Sequence, residues 1–339
     1  MYKLQIYCEL DFLHKFFSDK PDFKIDDSTK FEKWNNYLKL FLKDCSLILN
    51  NKQKYEKFVA EKNELFLILN KRCDGGEINI EFNENVSDTI QNEKIDQLFF
   101  LTDTNTCKKL EDDYGMFFIS NETLEDKANI LFIQSTIPIE KKESQYKDWN
   151  FLEKYAQPCN AMIIADNYIL KNENDIRFNL IILLDKLLPK KLNKIDFVLT
   201  IITGDGKSVV DLKSRYELIR SELQKLERPY KINIKIIGKS EYNHDRNLIT
   251  NYLHINSGFG FTLFRKKDFS KNAKNTVLAN TTVSINSIVG NNEEKEVVES
   301  LKKQYEKINS ESRNIGYEKI VYPEQKIVNR LIESTLKSR

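Results

Sequence analysis

Three apolar runs between residues 160 and 240 restrict the fold more than anything else in the chain. They are NAMIIADNYIL (160–170), DFVLTIITGD (196–205) and YKINIKIIGKS (230–240). Each reads as a strand. Between them lie ENDIRFNLIILLDKLLPKKL (173–192) and DLKSRYELIRSELQKLERP (211–229), both helical in pattern and both stopped by a proline. Strand, helix, strand, helix, strand at this spacing predicts a largely parallel sheet with helices over its faces. GFTLFRKK (260–267) and NTTVSINSIVG (280–290) are expected to add a strand or two. NNEEKEVVESLKKQYEKINSES (291–312) reads as a charged, exposed, amphipathic helix.

The N-terminal half mixes the two periods less regularly. YKLQIYCEL (2–10) reads as a strand, followed at once by a helix at DFLHKFF (11–17). A helix is predicted from the cap candidates Asp26, Asp27 and Ser28 through Phe31, Trp34, Leu38, Phe41 and Leu42, and another over roughly 51–72. CDGGEINIEF (73–82) is a glycine turn into a strand, and IDQLFFLTDT, YGMFFIS and NILFIQSTI read as further strands. The polar, lysine-rich PIEKKESQYKDWN (138–150) marks the expected domain boundary. The chain is therefore expected to form two α/β domains, at 1–140 and 150–292, with a helical segment at 293–339. A length of 339 residues suits that number.

Charge and cysteine content set limits on function. The net charge is +2, so any nucleic-acid footprint must be a local basic patch. The five cysteines are scattered, with no CxxC pair, which argues against a zinc site or a disulfide framework and for a reducing compartment. No apolar run approaches the ~20 residues that cross a bilayer, and the N-terminus lacks a signal-peptide pattern. A cytoplasmic protein without a membrane partner is expected.

The segment SVV after GDGK (204–207) invites a phosphate-loop reading, but that loop needs a glycine at position 201, which is Ile. A more informative stretch is NHDRNLITNYLHINSGFGF (243–261), which holds two of the three histidines of the chain. His244, Arg246 and Asn251 form H-x-R-x4-N, and Gly258 and Gly260 follow. On a strand, residues two apart share a face, so His244 and Arg246 can address one phosphate. The planar fork of Arg suits a phosphate, and glycines let backbone approach closely.

This pattern resembles the phospholipase D superfamily signature, H-x-K-x4-D followed by a glycine-containing turn. Arg246 stands where Lys is usual and Asn251 where Asp is usual. It also looks like the phospholipase-D-like domain at the C-terminus of microtubule-interacting-and-trafficking proteins. The preceding order of strands and helices agrees, and the resemblance covers roughly 155–290. It implies a mixed sheet flanked by helices, with His244, Arg246 and Asn251 as catalytic or binding residues and no cofactor. Active members pair two motif copies, one His attacking phosphorus and the other protonating the leaving group. One copy here implies a homodimer, or binding without catalysis. Gly258, Gly260, Arg265, Lys266 and Lys267 would contact substrate, the basic stretch 264–275 forming a phosphate track beside Phe259, Phe261 and Phe264.

The start of the chain resembles a PIN-type nuclease, a strand ending in acids and followed by a helix. That likeness implies Mg²⁺ or Mn²⁺ held by Glu9, Asp11 and Asp103, since hard cations take oxygen ligands. Asp96, Glu61 and Glu64 are the other acids in reach of such a role. The function expected is engagement of a phosphodiester in nucleic acid, as a nuclease or phosphodiesterase if an enzyme. By analogy the setting is bacterial antiviral defence. A non-catalytic, dimerising scaffold that recruits a protein partner is the rival, and a metal-dependent nuclease in the N-terminal half is the third reading.

Overall fold

The computed structural model describes residues 4–22, 26–43, 45–90, 97–142, 145–204, 209–238, 246–266, 275–311, 320–322 and 327–332. The chain divides into two compact units between Phe132 and Ile133.

The first unit runs β1 (Leu4–Cys8), α1 (Leu10–Ser18), α2 (Ser28–Leu42), β2 (Cys45–Leu49), α3 (Lys52–Ala60), α4 (Glu64–Asp74), β3 (Asn79–Phe82), α5 (Val86–Thr89), β4 (Gln97–Phe100), α6 (Thr104–Tyr114), β5 (Phe118–Ile119) and α7 (Leu124–Leu131). Its five strands lie in the order β3-β2-β1-β4-β5 and all pair in parallel. β1 and β4 are central and carry mostly apolar side chains, Ile6, Cys8, Leu98 and Phe100 being fully buried. Phe100 is the hub of the aromatic core, with Phe12, Tyr37 and Phe41 rings at 5.2, 5.9 and 4.9 Å.

The second unit runs β6 (Gln134–Ile139), a 3₁₀ turn (Trp149–Tyr155), β7 (Ala161–Ala165), a helix over 173–187 whose end segments are α8 (Glu173–Asp175) and α9 (Ile181–Leu187), β8 (Phe197–Thr203), α10 (Val209–Gln224), β9 (Ile232–Gly238), β10 (Asn247–Thr250), β11 (Leu253–Ser257), β12 (Phe264–Lys266), β13 (Asn275–Val277), β14 (Thr281–Ser287), α11 (Asn292–Glu311) and β15 (Ile320–Tyr322). The main sheet has eight strands in the order β15-β9-β8-β7-β10-β11-β14-β6. The three runs that opened the sequence argument are β7, β8 and β9, and they pair in parallel as expected. β10, β11, β14, β6 and β15 add antiparallel pairs, so the sheet is mixed. No helix among the described residues is long and apolar enough to cross a membrane.

Four local expectations change. The helix predicted over 51–72 is two helices, interrupted where Lys62 takes a left-handed φ of 58°. NILFIQSTI is not one strand: its first residues end α7, and β6 begins at Gln134. The boundary falls ahead of the 138–150 stretch, because β6 hydrogen-bonds along β14 in the second sheet. The C-terminal segment is not wholly helical, since β15 extends the second sheet beside β9.

Candidate functional site

In open α/β sheets ligands bind beyond the carboxyl ends of the strands, at the point where the chain leaves one strand to both sides. In the second unit that point lies between β7 and β10. The chain proceeds from β7 to β8 and β9 on one side, then returns to place β10 on the other. β10 is antiparallel to β7, with Asn247 opposite Ala165 and Thr250 opposite Met162. The start of β10 therefore adjoins the C-terminal end of β7, and Arg246 comes beside Asp166.

A glycine turn fastens the two. Arg246 donates from Nη1 to the Gly258 carbonyl at 2.7 Å, and Ser257 N donates to the Arg246 carbonyl at 3.2 Å. Asp166 is buried and accepts two backbone amides, Tyr168 N at 2.7 Å and Phe261 N at 2.6 Å. Gly260 sits between them with φ +108°. A Cβ there would lie 2.8 Å from both Arg246 Cδ and Asp166 Oδ2. Only glycine lets the turn close over this pair. Gly204, ending β8, is similarly tight: a Cβ would lie 2.8 Å from Asn167 Oδ1. The edge thus holds Asp166 and Asn167 from the end of β7, Thr203 and Gly204 from β8, and Arg246, Gly258 and Gly260 from the motif.

The wider charge field is mixed. The Asp175 carboxyl is held above its ordinary range by burial, with the Asp166 charge adding to the effect. A hydrogen bond from Asn172 and the charges of Arg265 and Lys171 oppose it. Arg265 is exposed on β12 and acts electrostatically on the same carboxyl as Asp166. Lys266 lends its backbone to β12. His244 and Lys267 lie outside the described residues, as do residues 205–208.

Asn251 does not join this group. It follows the last residue of β10, so the strand separates it from Arg246 by about 16 Å at ~3.3 Å per residue. Its Oδ1 accepts Asn160 N at 2.9 Å and Ala161 N at 3.2 Å, and its Nδ2 donates to Asn160 Oδ1 at 3.0 Å. It is buried and ties β10 to the start of β7. Asn251, expected beside His244 and Arg246 as a catalytic or binding residue, stands instead at the other end of β10 from Arg246. His254 is also spoken for, with Glu294 at Nδ1 and Asn247 Oδ1 at 2.9 Å from Nε2. Asp166 and Asn167 escaped the sequence reading. Their only signal was polarity immediately after an apolar strand.

In the first unit the corresponding point lies between β1 and β4, where the strand order reverses. Glu9 follows the last residue of β1, and its Oε2 accepts both Thr102 N and Thr102 Oγ1 at 2.6 Å, linking the segments just beyond β1 and β4. Asp103 caps α6, its Oδ2 accepting Thr106 N at 2.7 Å. Hydrogen bonds from Thr106 hold its carboxyl below the usual range. Asp11 pairs with Lys54. Thr104 Oγ1 bonds Ser120 Oγ and Glu122 Oε2, both at 2.8 Å. Glu9 and Asp103 therefore flank the reversal point, and each is bonded to protein. Glu61 caps the end of α3, and Glu64 begins α4. Asp96 lies outside the described residues. Among the described residues no three His, Cys, Asp or Glu side chains gather so as to hold a metal ion.

Burial pushes the thiols of Cys107 and Cys159 up to about 12 and raises that of Cys8 well above its ordinary value, so none is a ready thiolate. No protein-family model matches the chain, and no curated protein matches it in sequence at a significant level.

Proposed function

We propose that the chain engages phosphodiester or phosphate groups of nucleic acid at the β7–β10 edge of its second unit, through a degenerate phospholipase-D-like motif. One observation carries this reading: Arg246 is fixed at the strand reversal by a glycine turn and stays partly exposed there. Among the described residues its guanidinium makes one hydrogen bond, to Gly258, and the rest of the fork is available to a ligand oxygen. Arg265, on the neighbouring β12, supplies a second cation. Asp166 partly offsets the Arg246 charge, which favours a held and released phosphate over a permanently bound one.

Binding of a fluorescent oligonucleotide, followed by anisotropy at two salt concentrations, tests the reading. A charge-assisted hydrogen bond is worth roughly 1.5–3 kcal/mol. Arg246→Ala should therefore weaken binding by about ten- to a hundredfold. Arg246→Lys should keep part of the affinity, having the charge without the fork. Arg265→Ala should cost less and flatten the salt dependence. If folded Arg246→Ala binds as tightly as the parent, the phosphate reading fails and the protein-recruiting scaffold replaces it.

A second reading, a metal-dependent nuclease in the first unit, draws on the position of Glu9 and Asp103 at the β1–β4 reversal. Mg²⁺ or Mn²⁺ would have to displace the Thr102 and Thr106 bonds. Asp103→Asn separates the two roles. As a helix cap Asn substitutes well for Asp, so the melting temperature should hold while Asp103→Ala lowers it. As a metal ligand, Asp103→Asn should abolish Mg²⁺-dependent cleavage although the fold survives. Cleavage that persists in Asp103→Asn and in EDTA ends this reading.

A further inference from the structure

The first unit contains a pocket of about 310 Å³ framed by α1, α2 and the start of α7. It lies on the helical layer, and none of its lining residues belongs to the two edges described above. Phe16, Trp34 and Tyr37 give it an aromatic floor. Both polar atoms of that floor are already committed. Trp34 Nε1 donates to Phe16 O at 3.0 Å, and Tyr37 Oη donates to Leu124 O at 3.0 Å. Recognition of a polar ligand must therefore come from the wall.

That wall has two chemistries. On the acceptor side are Asp19, Glu125 and Asn121. Asn121 Nδ2 donates to Phe12 O at 3.3 Å, which fixes the amide and leaves Oδ1 without a hydrogen bond among the described residues. On the cationic side are Lys30 and Lys33. Lys30 makes only long, exposed ion pairs, 3.6 Å to Asp26 and 3.9 Å to Glu125. Lys33 makes no ion pair among the described residues. Phe16 stacks on Trp34 at 5.2 Å, and the exposed Lys20 ammonium lies 5.7 Å from the Trp34 ring centroid. The Phe17 and Phe31 rings lie 6.2 and 6.3 Å from the same indole, which is 8% exposed, so a small part of it faces the pocket.

We propose that this pocket binds a nucleoside 5′-monophosphate whose base carries an exocyclic amine. The base seats beside the exposed part of Trp34. The amine donates to Asn121 Oδ1 and the carboxylates, and the phosphate is met by Lys30 and Lys33. The volume stands at the lower end of ligand pockets, roughly 300–1,000 Å³, which suits one nucleotide rather than a dinucleotide.

The intact chain carries its own reporter. It has two tryptophans, and Trp149 is fully buried in the second unit, so it supplies a constant background while Trp34 responds. AMP, CMP, GMP and UMP are titrated against intrinsic fluorescence and by calorimetry, with adenosine and inorganic phosphate alongside. AMP, CMP and GMP should quench with saturation at sub-millimolar to millimolar levels. UMP, which lacks an exocyclic amine, should bind at least fivefold more weakly, and phosphate alone should not quench. Lys33→Ala lies on a helix surface and should fold normally. It should weaken AMP about tenfold while leaving adenosine unchanged. A 5′-phosphorylated tetra-adenylate that displaces AMP would identify a chain end as the source of the nucleotide, and failure to displace it a free nucleotide. No saturable quench or heat with any amino-bearing monophosphate overturns the proposal. So does equal affinity for UMP and AMP, or unchanged AMP binding in folded Lys33→Ala. None of these outcomes touches Arg246 or oligonucleotide binding at the second unit.

Discussion

Gly260→Ala should destabilise the second unit by about 3–5 kcal/mol, whereas Gly258→Ala, two residues away, should cost about 1 kcal/mol or less. Two terms separate them. Gly260 has φ +108°, a backbone region where a side chain costs roughly 1–3 kcal/mol. Its Cβ would also press on Asp166 Oδ2, and that carboxylate cannot retreat without leaving Tyr168 N or Phe261 N unbonded. A lost bond to a buried amide costs about 1–3 kcal/mol. Gly258 has no positive φ, and its Cβ would lie 3.0 Å from Thr281 Oγ1 and 3.9 Å from Thr282 O, so the threonine gives way at the cost of at most one exposed hydrogen bond, the one it accepts from Phe259 N. For a unit of this size each kcal/mol shifts the melting temperature by roughly 2–4 °C, so calorimetry should show a drop of about 10 °C for Gly260→Ala and a few degrees at most for Gly258→Ala. Equal melting temperatures would mean that the turn does not close over Arg246 and Asp166 as described.

The same turn shows how far local sequence carries. β7, β8 and β9 were legible because three short runs rich in Ile, Val and Leu, separated by two helical patterns that each stop at a proline, have few other readings. The glycines were legible as a close approach, but not what they approach. Asp166 is 80 residues from Arg246 in sequence, and only the antiparallel seating of β10 on β7 brings them together. β6 illustrates the converse. Its residues read as strand, yet nothing local tells a strand which sheet will accept its hydrogen bonds, and β14, more than 140 residues away, does so. In the first unit, the acids at strand ends were visible because apolar runs stop there. That Glu9 is bonded across to Thr102 was not, since it depends on β1 and β4 being neighbours. The motif spacing misled at Asn251 for a plain reason. A four-residue strand intervenes, and a repeat of two along a strand fixes the face of a residue but not which end of the sheet it occupies.

Asn251→Ala should lower stability about as much as Gly260→Ala and leave nucleic-acid affinity per folded molecule unchanged. The side chain is buried and satisfies three groups at once: the amides of Asn160 and Ala161, and the Asn160 side-chain carbonyl. Alanine leaves these groups without that partner in a space too dry to replace it, at about 3–5 kcal/mol in total. Asn160 is also where the C-terminal residues attach, since Arg330 Nη1 donates to its carbonyl at 2.9 Å and Asn329 Nδ2 donates to Met162 O at 3.1 Å. Loosening Asn160 should therefore raise protease sensitivity after residue 327 before the unit melts. Asn251→Asp, which restores the residue usual in the phospholipase D superfamily, should not rescue function. It keeps an acceptor for the two amides but sets a carboxylate oxygen against Asn160 Oδ1. Limited proteolysis, melting curves and anisotropy on the same samples decide the matter. A stable Asn251→Ala protein that has lost oligonucleotide binding would place Asn251 in the ligand site after all, and with it the convergent motif that the strand geometry argues against.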